Sequence, residues 1–323
     1  MSAIAPNPAV APTVVPAPAV STKAAAPATH EDLPPDLERR FGGLRRLYGD
    51  AGYARLRAGR FAIVGLGGVG SWVAEALARC GVAELLLVDL DHVAESNINR
   101  QVQALTPTLG QAKVQTLRER IALIHPGCRV SAVEEFVAAD NWPGLLPAAS
   151  GGIDVLIDAC DQVRAKETLA RWSLAQRVPS IVVGAAGGKQ RPEAVQVADL
   201  AEVTHDPLLA ALRQRLRHAG AIPRQGGAGS SKKLAAGLTC VFSREPVGMP
   251  SAASAAAAAT AQVLSEACAT EGGDEQSGAG PSSDGSLNCH GYGSSVMVTA
   301  TFGMVAAGAA IAQLLGLDPG PNR

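Results

Sequence analysis

No two of the six cysteines (Cys80, Cys128, Cys160, Cys240, Cys268 and Cys289) form a Cys-x-x-Cys pair. Such scattered spacing argues against a structural zinc site and offers no disulfide framework, so a reducing cytoplasm is the simplest setting. An excess of charge of either sign is also missing. The 28 Lys and Arg against 29 Asp and Glu leave a formal net charge of -1. The chain as a whole therefore carries no electrostatic signature of a nucleic-acid partner, although a local basic patch is enough for one. Residues 1–31 are mostly Ala, Pro and Val, with Lys23 the only Lys or Arg. They lack the charged start and compact apolar centre of a signal peptide, and their prolines break any helix, so a disordered tail is expected. The longest apolar run, 296–317, approaches the length of a membrane span. It has no flanking basic clusters and contains Thr299, Thr301 and Gln313. A buried helix with no stable membrane insertion is the expectation.

What is present is a globular composition, 47% hydrophobic and 18% charged over 323 residues. That length is enough for one large domain or two smaller ones with a substantial core. The organising stretch runs from Phe61 to Lys113. A short apolar strand, Phe61–Val64, turns through Gly65-Leu66-Gly67-Gly68-Val69-Gly70 into a segment with apolar residues at helical spacing. Gly81 closes that helix, and a second strand, Leu85–Val88, ends at Asp89. Strand, glycine turn, helix, strand and acid is the context in which a GxGxxG match has meaning. The glycines let backbone N–H groups approach a phosphate, and the helix N-terminus adds favourable partial charge. Asp89 is spaced to accept hydrogen bonds from a ribose. The pattern marks a nucleotide site and leaves dinucleotide and ATP both open.

Further along, the polar stretch 90–101 follows the second strand, where parallel sheets carry their ligand chemistry. Gly110-Gln111-Ala112-Lys113 is expected to open a helix that runs through Ile124, with strands at 128–133, 153–158 and 180–184, and a helix over about 164–176. Such alternation makes the fold α/β with a largely parallel sheet. Arg100 and Lys113 suit phosphates and Asp161 suits a magnesium ion. Taken singly, the two cations also read as solvated surface charges, and Asp161 as a helix cap. Leu37–Gly49 reads as a basic, partly helical lead-in. A basic stretch (Arg213, Arg215, Arg217, His218, Arg224, Lys232 and Lys233), with a glycine-rich loop over about 218–235, suits a phosphate backbone or else a solvated helix face. Residues 251–287 read as a flexible low-complexity insertion.

The motifs then come in a recognisable order: Gly65–Gly70, Val88-Asp89-Leu90-Asp91, Ser96–Gln101, Gly110–Lys113 and Ile157–Asp161. In this the chain resembles the ubiquitin-activating-like superfamily with the ThiF/MoeB fold, whose members adenylate carboxylates. The resemblance implies a Rossmann-like adenylation domain over 32–323, with a mostly parallel sheet and a C-terminal extension. It implies nucleotide contacts from Gly65, Gly67, Gly68 and Gly70, and ribose binding by Asp89 of the acid pair with Asp91. Asn97, Arg100, Gln101 and Lys113 would hold the triphosphate, and Asp161 a magnesium ion.

Within the superfamily the chain looks like the tRNA threonylcarbamoyladenosine dehydratases. Arg40–Gly43, Arg46–Gly49, Gly184–Gly188, Gln196–Leu200, Asp206–Leu208, Cys240–Ser243 and Val298–Gly303 carry that likeness. It implies ATP-driven activation of a threonyl carboxylate on a modified adenosine beside the tRNA anticodon, then ring closure with net loss of water. Arg100, Lys113, Asp161 and Cys289 would be the catalytic residues. Cys289, before the last apolar helix, reads either as a thiolate nucleophile or as a small buried residue. The likeness also implies a homodimer, with Gly43 where many members place an arginine that crosses to the partner's ATP, so that Arg45 or Arg46 would substitute. A cysteine desulfurase or sulfur-acceptor system and a monovalent cation are further associations of the family. The alternatives are an adenylyltransferase for a sulfur-carrier protein, against which the missing Cys-x-x-Cys pairs weigh, an NAD-dependent oxidoreductase, and a nucleotide-sensing adaptor.

Overall fold

The five expected apolar runs become strands of a single sheet, which two further strands complete. In the computed structural model the five are β1 (Arg60–Val64), β2 (Glu84–Val88), β3 (Arg129–Val133), β4 (Val155–Asp158) and β5 (Ser180–Val183), and the further two are β6 (Val195–Asp199) and β7 (Thr239–Ser243). The structure describes residues 36–147, 152–224, 234–246 and 293–317. The tail 1–31, the insertion 251–287, Cys289 and residues 225–233 of the loop 218–235 lie outside them.

The seven strands run in the order β3-β2-β1-β4-β5-β7-β6. All neighbours are parallel except β6 and β7, which pair antiparallel at one edge. β1 and β2 read as unbroken apolar runs because central parallel strands are covered on both faces; Phe61 to Val64 and Leu85 to Val88 are all buried.

Two helices precede the sheet, α1 (Leu37–Phe41) and α2 (Gly43–Arg57), the latter broken at Gly49. One face of the sheet is covered by α3 (Gly70–Arg79), α4 (Lys113–Ile124) and the final helix, α7 (Val296–Leu315). The other is covered by α5 (Val163–Gln176) and α6 (Pro207–His218). Side-chain alternation assigns the faces. Phe61, Ile63, Leu85 and Leu87 join the α3 and α7 core, whereas Ala62, Val64, Leu86 and Val88 join Ala165 and Leu169 of α5. All these elements belong to the unit that begins at Leu37.

α7 is long and apolar enough to cross a membrane, with mean hydropathy 1.7, but 56% of that window is buried within the protein. Val298, Phe302, Ala306 and Ala310 sit in the core, as the buried-helix reading expected. The first part of the basic stretch is helical. Arg213, on α6, donates to the carbonyls of Leu200 and Val203, both at 2.9 Å, and Arg215 pairs with Glu167 at 2.6 Å. These two arginines are engaged within the fold.

Candidate nucleotide site

The site forms where the order of the sheet reverses. β1 connects through α3 to β2 on one side and pairs with β4 on the other, so the carboxyl ends of β1 and β4 open a crevice. This is the topological switch point at which open α/β sheets bind ligands. Gly65 leaves β1 with φ +86°. A Cβ there would meet the Cys160 nitrogen at 2.7 Å and the Ala159 oxygen at 2.8 Å, so glycine is required on both counts. Gly70 opens α3 packed against the Gly65 carbonyl, which a Cβ would strike. Gly67 has nothing within 4 Å of an added Cβ. Its bare backbone faces the cavity, as a phosphate-binding turn at a helix N-terminus requires.

The cavity is about 270 Å³. Gly65, Gly67, Gly68, Asp89 and Asp91 line it, together with Asn97, Arg100, Gln101, Lys113 and Asp161. Gly70 lies behind the turn and not on the lining. Asp89 is held in place by the chain itself: its carboxylate accepts from the Leu66 N–H at 2.5 Å and the Asp91 N–H at 2.8 Å. Burial pushes its carboxyl above the usual range, against the pull of Lys113 and the two backbone donors. Lys113 starts α4 with its side chain only 6% exposed, its Nζ 2.6 Å from Asp91 and 4.0 Å from Asp89. A buried ammonium between two acids is a charge-balanced cation ready to meet a phosphate.

The loop after β2 is shaped by its own side chains. Asn97 accepts from the Ala94 N–H at 3.1 Å, and Gln103 donates both to the Gln101 side chain at 3.1 Å and to the Leu66 carbonyl at 3.0 Å. The Arg100 guanidinium reaches the Ser96 carbonyl at 2.6 Å and Asn99 at 3.0 Å. The Arg100 carbonyl accepts from the Trp72 indole at 2.9 Å. Thr299 of α7 packs against Gly68, so the final helix forms one wall of the glycine turn.

Asp161 is exposed at the cavity rim. It does not cap α5, whose N-cap position is Gln162. Among the described residues no three His, Cys, Asp or Glu converge on a metal site. A magnesium ion carried on a triphosphate needs only one or two protein carboxylates, and Asp161 fits that demand.

Several lining residues escaped sequence reasoning. Phe136, 51% exposed, follows β3 with Glu135 and Val137, and its position after an edge strand was the one available signal. Ala185 to Gly187 line the far side; their motif was legible but its place at the site was not.

The sequence matches the ThiF family over residues 40–322. It is 36% identical over 281 residues to the tRNA threonylcarbamoyladenosine dehydratase of Haemophilus influenzae, covering 87% of this chain and 95% of that protein. Crystal structures of the Escherichia coli tRNA N6-threonylcarbamoyladenosine dehydratase in complex with ATP and with AMP superpose with TM-scores of 0.68. In both, 35% of residues are identical, over 87% of this chain and 96% of that one. Similarity to the Escherichia coli molybdopterin-synthase adenylyltransferase is 33% and stops at 42% of this chain and 52% of that protein.

Proposed function

The chain belongs to the ThiF family, and on that footing we propose that it is an ATP-dependent tRNA threonylcarbamoyladenosine dehydratase. The observation that carries the reading is the likeness to such enzymes over 95% of their length, C-terminal half included. The sulfur-carrier adenylyltransferase reading finds only a partial relative.

In this reading the triphosphate lies along the glycine turn, its charge met by the α3 N-terminus, Arg100 and Lys113. Asp89 orients the ribose. Magnesium, when bound, would sit at Asp161 and offset phosphate charge. The threonyl carboxylate of the modified adenosine attacks the α-phosphorus, and the bond to the bridging oxygen breaks to release pyrophosphate. An internal nucleophile of the same nucleoside then closes the ring on the activated carbonyl carbon and expels AMP, so the nucleoside loses the elements of one water. Fixed cations aimed at the charge that develops on the phosphate oxygens and on the leaving pyrophosphate are the main catalytic contribution of such a site.

We read the enzyme as a cytoplasmic homodimer acting on tRNA. Of the two candidates to replace the arginine missing at Gly43, Arg46 is preferred. Arg45 is held by Glu38 at 3.2 Å and Asp50 at 2.6 Å, and lies 4.5 Å over the Tyr53 ring.

The test is mass analysis of nucleosides from threonylcarbamoyladenosine-bearing tRNA incubated with the protein and ATP. A product lighter by one water, dependent on ATP and lost in Arg100→Ala, is expected. Unchanged tRNA, with ATP consumed when a small carrier protein is supplied, overturns the reading in favour of the sulfur-carrier branch.

A further inference from the structure

Beneath the cavity lies a charged group that the mechanism above does not use. Lys166 of α5 is fully buried, as is Asp158 at the end of β4. The Lys166 ammonium donates to the Asp158 carboxylate at 3.0 Å, to the Asp158 carbonyl at 3.3 Å and to the Val183 carbonyl at 2.7 Å. These contacts use all three of its hydrogens. They also tie the carboxyl end of β4 to that of β5, the two strand ends from which the 159–161 turn and the 184–187 turn leave for the cavity wall.

Asp158 continues the linkage. The oxygen that meets Lys166 also accepts from the Cys160 N–H at 3.3 Å and the Cys160 thiol at 2.9 Å. Its other oxygen is buried with no partner. On the opposite side of the turn, the Ala159–Cys160 peptide is the surface on which Gly65 rests. The second turn is gripped in a similar way: Asp206, buried at the start of α6, accepts from the Ala185 N–H at 2.9 Å. Burial alone would push the Lys166 ammonium toward neutrality, but Asp158 beside it and Asp206 farther off raise it above the usual lysine range.

A buried ion pair with a bare carboxylate oxygen is a poor way to gain stability, because desolvation offsets the attraction and apolar replacements are often neutral or better. Its geometry instead suits precision at the site, where a small displacement of a positioned group is costly to rate. We propose that Lys166, through Asp158, is a positioning residue for adenylation: its buried clamp fixes the turn that carries Asp161 against the glycine turn and, through the Val183 carbonyl, anchors the strand end from which the facing wall leaves. This rests on the dehydratase reading given above.

Lys166→Met alone leaves Asp158 buried without a counter-ion and is expected to unfold easily. The informative variant is the neutral pair Asp158→Asn with Lys166→Met, compared with wild type on the same tRNA and ATP. Steady-state rates, KM for ATP and Tm are measured together. The expected result is a Tm within a few degrees of wild type and KM for ATP within about threefold, with kcat lower by tenfold or more. A purely structural pair would leave kcat unmoved at matched Tm, and equal kcat in an active wild type and the double variant overturns the inference alone. A rise in KM for ATP with kcat unchanged also overturns it, since the pair would then serve nucleotide binding and not alignment. A wild-type protein that leaves the tRNA unchanged overturns the dehydratase reading, and this inference with it.

Discussion

His125 is a histidine held neutral by its surroundings. It is buried, with Arg57 3.1 Å from Nε2 and the Phe41 ring edge-on at 4.8 Å between centroids. Burial, then the charges of Arg57 and Arg40, depress its pKa below the ordinary imidazole value. In the unfolded chain the ring takes up a proton near pH about 6.5, whereas in the fold it does so only at lower pH. Between those points the unfolded state binds more protons, so stability falls as pH drops from about 6.5 through the depressed value and levels off below it. Each unit of depression corresponds to about 1.4 kcal/mol. Melting temperatures measured from pH 7 to pH 5 should therefore fall more steeply for wild type than for His125→Gln. Parallel slopes would remove His125 from the acid sensitivity. Nothing in the local sequence announces this residue, because Arg57 and Phe41 reach it from helices far away in the chain. Gly65, Asp89 and Lys113, by contrast, could be assigned because their motifs are short and local.

Among the elements, α7 was the hardest to read from composition, since an apolar helix suits a bilayer and a core equally well. Its glycines separate the two cases. A Cβ on Gly303 would meet the Trp72 Cβ at 2.6 Å and the Val69 oxygen at 2.8 Å, whereas one on Gly308 meets nothing within 4 Å. Gly303 therefore lets α7 approach α3 at the point where Val69 belongs to the glycine turn. Gly303→Ala should overpack this contact and cost about 1–3 kcal/mol. Gly308→Ala should gain roughly 0.5–1 kcal/mol from helix propensity alone. Denaturant midpoints for the two variants test the claim, which fails if both move the same way. The Lys166–Asp158 pair was illegible for a related reason: an aspartate ending a strand and a lysine one turn into the next helix acquire meaning only when β5 is laid beside β4. The antiparallel β6 at the edge is likewise fixed by pairing with a strand some forty residues later, a contact that local patterning does not encode.

At the scale of the whole molecule, the sheet order, the switch point and the cavity lined by two cations and the acid pair make a single claim about which nucleotide the protein holds. A GxGxxG turn alone admits NAD as readily as ATP. The cavity distinguishes them by placing Lys113 and Arg100 around the turn, an arrangement that favours a compact, highly charged triphosphate over an extended dinucleotide whose pyrophosphate carries less negative charge. A ligand that binds only the folded state stabilises it by mass action. At a hundredfold excess over its Kd, ATP with magnesium should add about 2.7 kcal/mol, a rise in Tm of roughly 4–6 °C for a domain of this size. NAD at the same concentration should shift Tm by much less. Lys113→Ala should abolish most of the ATP shift, and should itself lower the starting Tm because Asp89 and Asp91 lose their shared cation. Equal protection by NAD and ATP would return the site to the dinucleotide reading. A full ATP shift in Lys113→Ala would mean that the buried lysine balances the two acids without reaching the nucleotide, leaving Arg100 and the α3 N-terminus to hold the phosphates.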